Sequence, residues 1–457
     1  MVLHLGIRNP SPILLPLGRK SLVTLHGHRQ PNGNVCSSSI VSSSIRSFTS
    51  SAQPPLRYAV LGAGFAGLSV AWHLLKQASK ELKLCIDIYD EVGIGGGASG
   101  VSGGLIHPYS PKAKLLWRGA ECWKESIELL NIAEAAIISR ELDRLTQDLN
   151  QNNDESIVWR RGILRPATMK NVDILNENAR NCLESCRIES IDKDAAQNLI
   201  PNICVPLSAI FMPEAMTIHP QRYLQALFLA CKKLVKSSLV SGYEEKEINL
   251  HKKSVHKLIE LAGEYNAIII CLGAKAGTLP ELSGELPLRT CRGVVAHLQL
   301  PNDIEDEYGE HSPSVLSDAW LAVQGPRDMV MGSTWDWKSR NYSPNVSAEE
   351  ASFALEELLP KASANYPGIQ KWIFKGARAG VRAMPPKTPL GSLPILGCID
   401  DFVDGKDGTK YWLVGGLGSR GLLYHGWLGK LMAGAVLSCN EDVLPSELTS
   451  WKKIKLL

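Results

Sequence analysis

Acid is missing from the start of this 457-residue chain: no Asp or Glu precedes Glu81, although Arg8, Arg19, Lys20, Arg29 and Arg46 lie within the first 56 residues. The same stretch carries eleven Ser before residue 52, and a basic, hydroxylated, acid-free N-terminus reads as an organelle transit peptide. The runs Ser37-Ser38-Ser39 and Ser42-Ser43-Ser44 fit chloroplast import, whereas Arg46-Ser47-Phe48-Thr49 resembles a mitochondrial processing site. The chloroplast is the expected destination and the mitochondrion the alternative. Long apolar runs are also missing: nothing approaches the roughly 18 consecutive residues of a spanning helix, so no membrane span is expected. Charge imbalance is small. The chain has 49 basic and 46 acidic residues, and removing the five N-terminal cations leaves 44 against 46, net −2. That body has no global field for nucleic acid, which is therefore not expected as a partner. The eleven Cys form no metal or disulfide framework, Cys182 and Cys186 being wrongly spaced for a zinc knuckle. They read as buried thiols, and no metal site is expected.

What remains is ordinary globular composition, 44% hydrophobic and 21% charged. The length predicts two or three domains of about 150 residues. After Pro54-Pro55, an apolar run from Arg57 to Leu61 meets Gly62-Ala63-Gly64-Phe65-Ala66-Gly67, and helical spacing follows through Leu68, Ala71, Trp72 and Leu75. A second β-like run, 82–89, ends at Asp90 and closes a βαβ unit. Residues 115–150 look helical and end in a polar loop, 147–155; 221–236 form another helix, and 265–272 a fully apolar strand running into Gly273-Ala274. Between 286 and 375 the texture becomes β-like, with segments at 294–300, 320–323 and 329–332 and one helix near 349–359. This reads as a mixed or antiparallel sheet inserted into a nucleotide-binding α/β domain. A last strand, 411–416, a Gly-rich turn through Gly421 and a helix to Leu437 complete the chain. The run Glu244-Glu245-Lys246-Glu247 reads as a solvated loop or helix face.

Gly62-x-Gly64-x-x-Gly67 lies between a strand and a helix, where one Gly makes the tight turn, one lets a pyrophosphate approach, and one packs helix on strand. Asp90 follows at the end of the second strand as the candidate ribose acceptor, with Glu91 the runner-up and Asp87 the weaker choice because it lies within the strand. A second Gly- and Ser-rich loop, 93–105, directly follows the acid; closely approaching amides there suit a flavin, and a nicotinamide domain has no need of them.

The pieces Val60 to Leu68, Gly97-Ala98-Ser99-Gly100, Thr217-Ile218-His219-Pro220, Ile268 to Ala274, Leu286-Pro287-Leu288-Arg289-x-x-Arg292-Gly293, Gly380-Val381-Arg382, Leu393-Pro394-Ile395-Leu396-Gly397 and Gly418-Ser419-Arg420-Gly421-Leu422 occur in an order that resembles the FAD-dependent D-amino acid oxidase/glycine oxidase family. Gly-Ser-Arg-Gly-Leu in particular resembles the oxidase domain of the bacterial tRNA wobble-uridine modification enzyme. The resemblance implies a Rossmann-like FAD-binding domain with an inserted mixed or antiparallel-sheet substrate domain. The expected partition is an FAD domain at 57–120, 205–285 and 376–457 and a substrate domain at 121–204 and 286–375. FAD would be held by Gly62, Gly64, Phe65, Ala66, Gly67, Asp90, Glu91, Ala98, Ser99, Gly104, Leu105, Gly273, Gly418, Ser419, Gly421 and Leu422.

By the same resemblance Arg382 stands where the family binds a substrate carboxylate, for which a planar guanidinium fork is suited, and Arg420 is a second contact candidate. Arg378 is a weaker alternative for the first role. The family's short Thr-Pro-Asp-Gly step after this Arg is replaced by a longer loop, Ala383 to Ser392, without Asp. His107 reads as a structural residue, with a flavin contact or a base as the alternatives, and Trp335, Trp337 and Tyr342 as pocket wall or core. The implied activity is oxidation of the C–N bond of a small amine or amino acid by hydride transfer to flavin, as an oxidase using dioxygen or as a dehydrogenase. A tRNA wobble-uridine side-chain oxidase and a non-catalytic flavoprotein assembly factor are the alternatives.

Overall fold

The apolar strand Ala267–Ile270 is buried along its whole length, because it runs through the middle of a six-stranded sheet. β-branched residues suit such a doubly covered position. The strand order is Ile395–Cys398, Lys410–Gly415, Ala267–Ile270, Leu56–Leu61, Leu84–Tyr89, Lys246–His251; only the first runs antiparallel to its neighbour. The computed structural model describes residues 55–145, 156–240, 245–304, 308–309, 311–403 and 408–456. The expected transit peptide, apart from residues 55 and 56, and the polar loop 147–155 lie outside the described residues. Leu56 already pairs with Leu84, so the first strand starts one residue inside the stretch assigned to import.

One face of this sheet is covered by the helices Phe65–Gln77, Gly119–Leu145, Pro220–Val240 and Gly421–Ser438. The last is apolar nearly all round because it is packed on several sides. Close packing depends on small residues: a Cβ on Gly429 would lie 2.2 Å from Ser69 Oγ, and one on Gly426 3.1 Å from the backbone of Glu125. These contacts fix the start of the helix, and with it Arg420. The opposite face carries short 3-10 turns, 258–261 and 273–282, over a smaller apolar cluster.

The second sheet has eight strands: Ile373–Met384, Arg289–Gln299, Asp328–Gly332, Trp320–Val323, Ser314–Val315, Ile163–Pro166, Ser208–Met212 and Glu189–Asp192. All pairs are antiparallel except Ser314–Val315 with Ile163–Pro166, so the sheet is mixed. Helix packing and strand pairing place three segments differently from the expected partition. Helix Gly119–Leu145 packs on the nucleotide-binding layer, with its apolar residues in the same core as helices 220–240 and 421–438. Strand Ser208–Met212 belongs to the eight-stranded sheet, and that sheet extends to Met384, because Ile373–Met384 pairs with Arg289–Gln299 over its whole length. The loop after Arg382 closes as a small hairpin, Lys387-Thr388 against Gly391-Ser392.

The charged run near 245 differs from its expectation. Lys246 is buried in a strand, and its ammonium donates to the Leu75 and Ala78 carbonyls at 3.0 and 3.1 Å, capping helix Phe65–Gln77. All ten described cysteines are free; Cys271 is buried, but Cys204 and Cys439 are exposed. Among the described residues, no helix is long and apolar enough to cross a membrane.

Candidate active site

Gly62 has φ +105°, and a Cβ there would lie 2.6 Å from the Cys271 carbonyl oxygen. Only glycine meets both demands. A Cβ on Gly67 would lie 1.9 Å from the Gly62 oxygen, so helix Phe65–Gln77 begins directly against the turn. Asp90 binds the turn to the next loop: Oδ2 accepts from Ala63 N–H at 2.9 Å, and Oδ1 from Val92 and Gly93 N–H at 3.0 and 2.9 Å. Ser99 Oγ accepts from Phe65 N–H at 3.1 Å, drawing the second Gly-rich loop over the helix start.

Gly64, Phe65, Ala66, Ala98, Ser99, Gly104 and Leu105 line one cavity of about 410 Å³. Gly273, Gly418, Ser419, Gly421 and Leu422 line it as well, as do Arg382 and Arg420. Gly62, Gly67, Asp90 and Glu91 do not. The two glycines shape the turn from behind, Asp90 uses both oxygens on backbone, and exposed Glu91 pairs with Lys275 and with Ser254 Oγ. Asp87 is buried under Arg57, Tyr265, Asn249 and His251, a structural network within the strand layer.

These residues fit FAD. Two helices, Phe65–Gln77 and Gly421–Ser438, begin at the cavity wall, and the positive ends of their dipoles favour a phosphate or an anionic flavin there. Among the described residues, no Asp or Glu lines the space. The inserted sheet reaches the flavin loop closely, since a Cβ on Gly380 would lie 2.8 Å from Ala98 Cα.

At the sheet side of the cavity, the Arg382 guanidinium lies flat across Gly293, where a Cβ would come within 2.3 Å of Nη2. Nη2 donates to Ser333 Oγ, and Nη1 to the Thr334 carbonyl at 3.3 Å and Cys291 Sγ at 3.7 Å. Its Cζ stacks 4.3 Å from the Trp335 ring centre; Trp335 stacks on Trp337, and Arg289 covers the outer face of Trp337 at 4.7 Å. Both tryptophans are substantially exposed, so they form a rim rather than core. Tyr342 is not part of the lining. Burial pulls the Arg382 pKa below its ordinary value, with Cys291 opposing.

Arg420 and His107 line the same cavity. Burial lowers the Arg420 pKa, Tyr424 opposing and Arg165 adding to the fall. Burial, then Arg420 and Arg165, holds the His107 pKa well below 6.5, so the ring is neutral. Its Nδ1 accepts from Tyr109 N–H at 3.3 Å, which leaves the proton on Nε2 as a donor. Sequence reasoning overlooked Ser333, Cys291 and Arg165. Strand alternation alone marks Arg165: Ile163 faces the core under the nucleotide-binding helices and Leu164 the opposite core, so Arg165 lies on the nucleotide-binding side of the sheet, beside the cavity rather than in its lining.

The "FAD dependent oxidoreductase" (DAO) family model matches residues 57–435. A curated relative, the tRNA 5-methylaminomethyl-2-thiouridine biosynthesis bifunctional protein MnmC of Hydrogenovibrio crunogenus, is 23% identical over 442 residues, covering 86% of this chain and 57% of that protein. The putative thiamine biosynthesis oxidoreductase ThiO of Rhizobium etli is 26% identical over 232 residues, half of this chain and 58% of the relative. The chain thus spans a little over half the length of these relatives. Among solved structures, L-proline dehydrogenase from P. horikoshii superposes with a TM-score of 0.64 at 14% identity, covering 88% of this chain and 98% of that one. With its cofactor turn, its divided α/β frame and its inserted sheet all in the family arrangement, the chain belongs to the FAD-dependent oxidoreductases of the DAO family.

Proposed function

We propose that this FAD-dependent oxidoreductase oxidises the carbon–nitrogen bond of a small amine or amino acid that carries a carboxylate, and that Arg382 holds this carboxylate. The observation that carries the reading is the state of Arg382: a guanidinium in the cavity that, among the described residues, is bonded only to an alcohol, a carbonyl and a thiol, with no carboxylate partner. Such a fork is set to receive one in bidentate form. FAD, when bound, supplies the acceptor for the hydride released at the carbon next to nitrogen, and dioxygen is the proposed final oxidant.

The chain's own residues do the positioning. Trp335 closes one side of the guanidinium. His107 offers a neutral Nε2–H, not a base. No Asp or Glu lines the cavity among the described residues, so the substrate enters as the free amine rather than losing its proton to a side chain. Orientation over the cofactor, rather than proton transfer, is then the main contribution of the protein.

Anaerobic bleaching of the purified holoenzyme tests this with glycine, sarcosine, D-amino acids, cyclic imino acids and modified tRNA. Fast bleaching by a carboxylate-bearing amine is expected. Bleaching by an amine without a carboxylate, or by tRNA alone, overturns it; the tRNA arm is included because a curated relative is named for tRNA modification. Gly64→Val, which adds bulk 2.8 Å from Ser99 Oγ, should yield a colourless protein. Residues 1–56, proposed as a chloroplast import segment, should carry a fused reporter into plastids; a cytosolic reporter removes that assignment.

A further inference from the structure

The cavity holds more positive charge than one carboxylate needs. Arg420 lines it, yet its guanidinium has no hydrogen bond or ion pair with any described residue. Arg165, on strand Ile163–Pro166, lies behind the lining close enough to Arg420 to act on its charge, and its buried Nε has no partner among the described residues. Its one opposing charge is Asp318, exposed on the loop leading to Trp320. His107 adds a neutral N–H donor in the same cavity.

This group has different neighbours from Arg382. Arg420, Arg165 and His107 sense one another's charge. Arg382 is instead fixed by Ser333, Thr334, Cys291 and Trp335 on the sheet side, its plane set by Gly293. Two largely buried cations whose one acidic neighbour, Asp318, is exposed on a loop are unfavourable unless an anion joins them.

We propose that the substrate is a dianion. Resting on the reading that Arg382 takes the carboxylate beside the reacting carbon, a second acidic group, carboxylate or phosphate, lies between Arg420, Arg165 and the Nε2–H of His107. The spacing of the two anion sites then selects chain length, and a simple monocarboxylic amine fills only one of them.

Flavin difference spectra of the holoenzyme test the assignment with acetate, malonate, succinate, glutarate and phosphoglycolate. The best two-charged acid should bind at least about tenfold more tightly than acetate, and comparison of succinate with phosphoglycolate separates carboxylate from phosphate. Arg420→Met and Arg165→Met should each reduce that advantage to about threefold or less while leaving acetate affinity within about threefold. Three outcomes overturn the proposal: diacids no tighter than acetate, a variant that weakens acetate and diacids equally, or loss of FAD from Arg420→Met with Arg165→Met unchanged, which would assign Arg420 to the cofactor. If neither acetate nor any diacid perturbs the flavin, and Arg382→Lys changes nothing, the Arg382 reading itself fails and this one with it.

Discussion

Arg292 and Arg420 are both withdrawn from water, and they live in opposite surroundings. Arg292, 2% exposed, forms a two-pronged pair with Glu350 at 2.7 and 3.0 Å, and donates to the carbonyls of Asn341, Ser343 and Asn345 at 3.0, 2.6 and 3.0 Å. All five donors are used, so this guanidinium pins loop 341–345 to the inserted sheet. Arg420 uses none of its donors on described residues and faces a cavity. A satisfied buried cation is part of the fold, whereas an unsatisfied one is a receptor whose partner comes from outside.

The largest expected effect tests the first half of that contrast. Arg292→Met strands Glu350 and three carbonyls, and should cost about 2–4 kcal/mol of stability. Denaturant midpoints read it directly; a loss under about 1 kcal/mol would mean that the loop holds itself. Next comes Arg382→Lys, which keeps the charge and loses the fork. It should lower kcat/KM for a carboxylate-bearing amine by about 10- to 1000-fold with FAD content and melting temperature unchanged. Unchanged efficiency would place the carboxylate elsewhere.

That contrast was invisible in the sequence, where Arg292 and Arg420 both stand beside a glycine in short motifs. The nucleotide-binding half was legible because its determinants are local: Gly62, Gly64 and Gly67 act within six residues, and strand, turn and helix follow one another. The inserted sheet was legible as texture but not as membership. Ser208–Met212 finds its partners at 163–166 and 189–192, and Gly119–Leu145 packs on helices that come much later. Ser333, Cys291 and Arg165 reach the site through pairings across the sheet that no spacing records. Asp90 shows the converse: its position was readable, but its hydrogen bonds to Ala63, Val92 and Gly93 depend on how two loops meet.

A smaller change sharpens the role of Gly293. An added methyl would meet the Arg382 guanidinium at 2.3 Å, and a charged side-chain end gives way more readily than a strand backbone. Gly293→Ala should therefore displace the fork, weakening acetate binding by about three- to tenfold, with a stability change of about 1 kcal/mol or less. Parallel losses of stability and affinity would mean that the sheet, not the arginine, had moved. Arg420→Met should be neutral or up to about 1 kcal/mol stabilising in the absence of anions, because it removes a cation with no partner. Destabilisation as large as that of Arg292→Met would erase the distinction between the two arginines.

The smallest expected effect concerns protons. Burial, then Arg420, then Arg165, depresses the His107 pKa, so protonation requires a pH well below 6.5. Binding of an anion to the Arg420 group should then vary by less than about twofold between pH 8 and pH 6, because the imidazole gains no charge in that window. Arg420→Met removes the second of those causes and leaves burial, the largest, so the imidazole stays neutral and the variant's profile should be as flat as that of the wild type. Flavin difference titrations at three pH values check it: a diacid affinity that rises as the pH falls in the variant alone would mean that Arg420 rather than burial controls His107, and a rising one in the wild type that the ring is less enclosed than its neighbours imply.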